Sequence, residues 1–433
     1  MKKVRLSFWQ ILNMNVGFFG IQYSFGLQQS AVNPIYDFLG ASPDEIPLLN
    51  LAGPVTGLLI QPMIGALSDK TWHPRFGRRK PYFLIGALLC SLCLLAYPFS
   101  STLWMAAGLL WILDAGNNMA MEPYRAFVAD KLVEEQQPLG FQMQSFFTGF
   151  GQTLANLSLF IFPLIFIGKT GSLPTWVYAS FFLGAFCSIG SILWSMKTTK
   201  EIPPTEEELK RIRESSGGVL EPLKEIFSAV WEMPRVMWQL ALVYVFQWYA
   251  LFCYWQNSSK SIALSVWGAT PKSNAAAYEQ AVSWTGLVNG WYNIVTFLTA
   301  FILVGFAKKY SPKMVHSGCL LLAAVGFLAF PHIENKNLLF FAITGFGIGW
   351  ASMMGIPYLM VVGDIPKERY GVYMGIINMM IVLPMIFQNL SFGFILKHFL
   401  NNDPRNAITF AGISLLIAAV LTLFIKPKNK VAV

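Results

Sequence analysis

Gly65-Ala-Leu-Ser-Asp69, followed by Arg75-Phe-Gly-Arg-Arg-Lys-Pro81, is the stretch on which the reading of this chain turns. It closes one long apolar run and opens the next, so that Asp69 and a basic cluster containing Arg78 and Arg79 share a short loop. Such a loop can latch helix ends in one conformation and release them in another. The plainer alternative is a basic loop that only orients the chain in a membrane.

A spanning helix needs about 20 predominantly apolar residues. Twelve such runs lie on either side of this loop, at roughly 8–30, 46–68, 82–99, 103–128, 142–167, 175–196, 236–257, 281–306, 314–331, 338–362, 371–396 and 407–425. The chain has 433 residues, 55% hydrophobic and 12% charged, with a mean hydropathy of +0.51. That is far more apolar than a soluble domain of this size. A signal peptide is the alternative for the N-terminus, but the first run is long enough to span and no small-residue cleavage site follows it.

The formal charge of +9 could suggest a nucleic-acid partner, so the placement of the 31 lysines and arginines decides its meaning. With both termini cytoplasmic, 24 of the 31 fall on the inside and six outside, Lys169, Lys260, Lys272, Lys336, Lys397 and Arg405, while Arg125 lies within a run. This is the bias of the positive-inside rule, not of a DNA-binding surface. The expected location is the cell membrane, multi-pass, with lipid and no nucleic acid as partner. The five cysteines all fall in apolar stretches and read as small buried residues; neither they nor the four histidines have metal-ligand spacing, and no cofactor is expected.

A charged segment at 197–235 divides the runs six and six. The expected fold is therefore an all-α membrane protein of twelve transmembrane helices in two six-helix bundles, 1–196 and 236–433, joined by a cytoplasmic loop at 197–235. Thr205 and Glu208 have capping-box spacing, which predicts a short surface helix in that loop. Pro123-Tyr-Arg-Ala-Phe-Val-Ala-Asp130 aligns with Pro357-Tyr-Leu-Met-Val-Val-Gly-Asp364, as halves built from one repeat would.

Ionisable residues inside a membrane are costly and commonly functional. Of the acids, Asp114 and Glu122 lie well within a predicted span, both in the fourth run. At about 100° per residue, Asp114, Asn118, Glu122 and Arg125 fall within about 80° of one another, forming one polar stripe. Glu122 and Arg125 are spaced to pair on adjacent turns. Asp114 lies about 16 Å along the helix from Arg125, too far for contact, so nothing in its own helix neutralises it. Asp114 is the candidate proton carrier, with Glu122 and Arg125 beside it in the coupling group.

Amides and rings cluster in other runs. Gln22 and Gln28 lie in the first, Gln152 and Asn156 in the fifth, Gln247 and Trp248 in the seventh, Trp284 and Asn289 in the eighth and Asn378 in the eleventh. Neutral donors and acceptors beside flat rings suit a sugar, whose hydroxyls need partners and whose ring faces stack. Interhelical amide bonds and interfacial aromatic belts use the same residue types.

The loop Asp69 to Pro81 resembles the signature of the major facilitator superfamily, which implies two rocking bundles gated by Asp69, Arg78, Arg79 and Asp130. Gly20-Ile-Gln-Tyr-Ser-Phe-Gly-Leu-Gln-Gln-Ser-Ala-Val-Asn-Pro34, Leu113-Asp-Ala-Gly-Asn-Asn118, Glu122-Pro-Tyr-Arg-Ala-Phe-Val-Ala-Asp130 and Gly371-Val-Tyr-Met-Gly375 with Asn378 and Pro384 are similar to the sucrose transporter family. That resemblance implies proton-coupled uptake of an alpha-glucoside such as sucrose or maltose by a monomer, with Asp114 protonated. Met121-Glu-Pro123 stands where plant members carry Gln-Gly-Pro, closer to bacterial maltose-type members. A sodium-coupled glycoside symporter and an uncoupled facilitator stay open as alternatives. An enzyme would need a nucleophile with its base or a metal cluster, and none is expected.

Overall fold

A computed structural model of the chain describes residues 3–207, 209–210, 230–361, 364 and 370–426. It is almost wholly helical: α1 Phe8–Phe38, a single turn α2 Ile46–Leu49, α3 Ala52–Asp69, α4 Lys80–Ala96, α5 Leu103–Lys131, α6 Gln137–Ile165 and α7 Thr175–Thr198. After the linker come α8 Arg235–Trp267, α9 Ala275–Lys309, α10 Pro312–Ala329, α11 Leu339–Val361, α12 Tyr370–Phe399 and α13 Pro404–Leu423. A two-residue hairpin, β1 Lys169–Thr170 against β2 Leu173–Pro174, joins α6 to α7. The long helices correspond one to one with the twelve apolar runs.

Local chemistry sets the ends. Pro81, Pro312 and Pro404 sit in the first turns of α4, α10 and α13, where a missing N–H costs nothing. Thr102 and Asn274 accept hydrogen bonds from the first free amides of α5 and α9. Gly268, in the left-handed region at φ +58°, stops α8. Prolines persist inside α1, α3, α5, α6, α11 and α12, as neighbouring membrane helices permit.

Nine helical stretches among the described residues are long and apolar enough to cross a membrane on composition alone. α1, α5 and α9 are outside that set, and all three carry amides and carboxylates along their length. Large apolar side chains lie exposed along many helices, among them Trp104, Phe186 and Phe341. In a membrane protein those faces meet lipid, and helices associate instead through small residues. A Cβ at Gly86 would lie 2.5 Å from the Gly116 carbonyl, and one at Gly326 would lie 2.2 Å from that of Ala342. Backbone thus meets backbone where α4 crosses α5 and where α10 crosses α11.

The chain forms two compact units, one of Met1–Gln28, Val55–Ser158 and Ile165–Lys224, the other of Gln29–Pro54, Leu159–Leu164 and Glu225–Val433. Two helices run past their expected ends. α1 continues through Pro34 to Phe38, and α8 continues beyond 257 to Trp267, so Lys260 is a buried helical residue and not part of an outside loop. Of the surface helix expected from Thr205 and Glu208, residues 206–207 and 209–210 are helical and the Leu209 N–H donates to the Thr205 carbonyl at 2.9 Å, while Glu208 and 211–229 lie outside the described residues.

Candidate functional site

In the first unit Asn118 of the polar stripe on α5 meets α3, and Asn117 beside it meets α1 and α4. The Asn118 amide accepts from Gln61 Nε2 at 2.6 Å and donates to Thr56 Oγ1 at 3.1 Å and to the Asp114 carbonyl at 2.9 Å. Asn117 Nδ2 donates to Ser24 Oγ at 2.9 Å, and its oxygen accepts from Cys90 Sγ at 3.1 Å. Both amides are engaged in holding helices together. Asp114 between them is 3% exposed, and its carboxylate makes no ion pair or side-chain hydrogen bond among the described residues. Arg125 Nη1 lies 3.7 Å from Glu122 Oε2 in a loose, partly exposed pair one turn apart, so it leaves Asp114 unneutralised.

On α1 and α6, Gln152 Nε2 donates to Gln22 Oε1 at 3.0 Å, and Asn156 Nδ2 donates to the Gln152 carbonyl. Gln28 is buried with no partner for its Nε2 among the described residues. A Cβ at Gly26 would lie 2.7 Å from that of Ala155, and this close approach lets the amides of the two helices meet.

In the second unit Gln247 Oε1 lies 3.2 Å from His316 Nε2, and His316 Nδ1 lies 2.7 Å from Ser352 Oγ. Trp248 packs edge-on against Trp350. Gln247 Nε2, Trp248 Nε1 and Asn257 Oδ1 are buried without a hydrogen-bond partner among the described residues. Asn289 accepts from Tyr254 OH at 2.9 Å and donates to Ser30 Oγ at 3.2 Å. Trp284 donates to the Lys336 carbonyl, with the Lys336 ammonium 4.5 Å above its ring, so it seats the loop before α11. Asn378 is half-buried on α12.

The loop between α3 and α4 is a charge network. Asp69 Oδ1 meets Arg78 at 2.9 Å and Arg79 at 2.6 Å, and Arg79 Nε donates to Asp130 at 2.8 Å. Burial opposes the Arg79 charge, but hydrogen bonding and attraction to Asp130 and Asp69 outweigh it and hold the pKa of Arg79 above its ordinary value. Arg79 Nη1 also donates to Ser68 Oγ at 2.6 Å. Beneath the network the Glu201 carboxylate accepts from the backbone amides of Arg78, Arg79 and Lys80 at 2.7, 3.0 and 2.8 Å. It caps the positive end of α4. Gly77 makes room for it: its φ is +82°, and a Cβ there would come within 2.5 Å of Glu201.

The sequence model of the Major Facilitator Superfamily matches residues 14–389, and again 267–432. The chain belongs to the major facilitator superfamily. Its superfamily relatives include Sucrose transport protein SUT5 of Oryza sativa subsp. indica, 23% identical over 95% of this chain and 86% of that one, and Sucrose transport protein SUC4 of Arabidopsis thaliana, 24% identical over 86% and 81%. Among solved structures, the chain is similar to the partially occluded, inward-open xylose transporter XylE from E. coli, with TM-score 0.64 and 15% identity over 97% and 100% of the two chains. It is also similar to the nucleoside transporter NupG, with TM-score 0.68 and 14% identity over 96% and 100%. These relatives are transporters and not enzymes.

Sequence reading passed over several residues of this facilitator-superfamily protein. Asp37 and Lys260 fell beyond the expected ends of their helices, although Ser261 to Trp267 is a further apolar stretch that could have carried the seventh run on. His316, one of the four histidines without metal-ligand spacing, is fully buried in α10 and bonded on both ring nitrogens. Glu201 had no local signal, because its partners lie more than a hundred residues earlier.

Proposed function

We propose that this chain is a proton-coupled symporter that imports a disaccharide of the sucrose or maltose type by alternating access, as a monomer in the cell membrane. One observation carries the reading. Among the described residues two carboxylates are buried, Asp37 and Asp114; Asp37 has the Lys260 ammonium against it, and Asp114 has no cation. A buried carboxylate must be neutralised, and at Asp114 a proton does so without needing a ligand shell.

Sugar as the cargo is supported by the sucrose transport proteins among the relatives and by Gln28 Nε2, Gln247 Nε2, Trp248 Nε1 and Asn257 Oδ1, buried atoms without a hydrogen-bond partner among the described residues. These donors and acceptors are of the kind hydroxyls satisfy. Both termini are placed in the cytoplasm by the positive-inside rule, and the bias sharpens now that Lys260 leaves the outside set, reducing it from six to five. Glu122 and Arg125 keep each other neutral beside the carrier, and Asp69, Arg78, Arg79 and Asp130 form the cytoplasmic latch.

Uptake of labelled sucrose, maltose and glucose into proteoliposomes under imposed proton and sodium gradients tests the reading. Uphill uptake of a disaccharide driven by protons alone is the expected result. Uptake driven by sodium alone, or downhill only, refutes the coupling.

A further inference from the structure

The last turns of α1 belong to the second unit, and what holds them there is polar. Lys260 Nζ on α8 lies 3.4 Å from both oxygens of Asp37 near the end of α1 and donates to the Gln256 carbonyl at 2.9 Å. Tyr278 OH on α9 donates to Asp37 Oδ2, and the Tyr278 ring meets Phe38 edge-on. The Asp37 and Lys260 side chains are 1% and 4% exposed, and Tyr278 is fully buried. Neighbouring contacts are of the same kind. Asn33 donates to the Trp255 carbonyl, Asn50 to Asn33, Asn389 to the Asn50 carbonyl, and Asn289 to Ser30.

Helix contacts in a membrane use small residues and close backbone, as at Gly86 and Gly326, together with interhelical hydrogen bonds; this contact adds a buried ion pair to them. This one is built from groups that water can solvate when they separate. A buried ion pair is a poor source of stability against apolar packing but strongly penalises the loss of one partner. It therefore specifies one closed geometry and reopens readily only when both charges are hydrated together.

We propose that Asp37, Lys260 and Tyr278 form a latch that holds the end of α1 against α8 and α9, and that parts and re-forms in each transport cycle. It rests on the alternating-access reading above. It lies at the end of α1 away from the chain terminus, and so acts on the face where α1 ends. Lys260 is the tethered counter-ion that makes the closed state at this face electrically complete.

The test is solvent access, which needs no knowledge of the cargo. Ser30→Cys places a buried thiol on α1 behind the latch, and its labelling by a membrane-impermeant maleimide from the face away from the termini is measured above the background of the five native cysteines. Asp37→Asn, which keeps the side-chain shape, should speed labelling by on the order of tenfold as the closed state loses its pair. The charge exchange Asp37→Lys with Lys260→Asp should slow it again. Should the exchange protein fail to fold, Lys260→Gln replaces it and is expected to match Asp37→Asn. Labelling unchanged in Asp37→Asn overturns the latch. If the parent protein shows no proton-driven sugar uptake while labelling still responds, the transport assignment fails and the latch stands.

Discussion

Asn in place of Asp114 removes a charge and keeps size and shape. Because the Asp114 carboxylate holds no ion pair or side-chain hydrogen bond among the described residues, the substitution breaks none, and a buried ionisable group becomes a neutral one. Asp114→Asn should therefore unfold at the same temperature as the parent protein or higher. Removing one side of the Asp37 and Lys260 pair instead strands a buried charge, which costs about 3–5 kcal/mol. For transport, a difference of one pH unit across the membrane is worth about 1.4 kcal/mol per proton, so one proton per sugar sustains about tenfold accumulation. Asp114→Asn should reduce that ratio to about one, while exchange of labelled for unlabelled sugar, which moves no net proton, stays within about threefold of the parent. Proteoliposomes with an imposed pH gradient and a parallel counterflow assay measure both. Accumulation near tenfold in Asp114→Asn would refute the assignment, and so would loss of exchange together with accumulation in a protein that unfolds normally.

Glu201→Ala should lower the unfolding temperature, because three amides at the start of α4 lose a carboxylate acceptor; bonds to a charged group are worth about 1.5–3 kcal/mol each when buried, and less at this partly exposed site. Gly77→Ala should destabilise further, through the left-handed φ and the clash with Glu201, and adding Glu201→Ala should cost less than the sum of the two because the clash is then gone, as thermal unfolding of the double variant will reveal. Arg79→Lys keeps the charge but cannot reach Asp69, Asp130 and Ser68 at once, so sugar exchange should fall by about tenfold or more without loss of folded protein in gel filtration.

The fold was legible because hydropathy and charge bias act over whole helices, and a twenty-residue apolar run has few alternatives in a membrane. Helix ends were less so. The apolar pattern of the α1 run breaks near 30 because of Pro34 and Asp37, yet a membrane helix tolerates both where a neighbour supplies the missing bond or charge. The same applies to Gln256 through Ser261, polar in sequence and buried in α8. Within the site, the stripe from Asp114 to Arg125 followed from helix geometry, since all its members lie on one helix. Asp37 with Lys260, and Glu201 with Arg78, join positions 223 and 123 residues apart, and no local spacing encodes such pairs.

Asp37 and Asp114 meet the same electrostatic demand in opposite ways, and the contrast bears on which ion couples transport. For Asp37 the neutralising cation is tied to α8, so its charge balance changes only when α1 and α8 separate. That links charge to shape. For Asp114 no cation stands against the carboxylate among the described residues, so its charge balance changes with what arrives from solution. That links charge to solute. A sodium ion in this role would need a shell of several oxygen ligands, yet the oxygens of Asn117 and Asn118 are already engaged by Cys90 and Gln61, and Glu122 is paired with Arg125. A proton needs only the carboxylate itself. Converting Gln61 or Cys90 to alanine frees one of those oxygens, and if sodium then begins to drive uptake where protons alone did before, ligand supply at Asp114 is what selects the coupling ion.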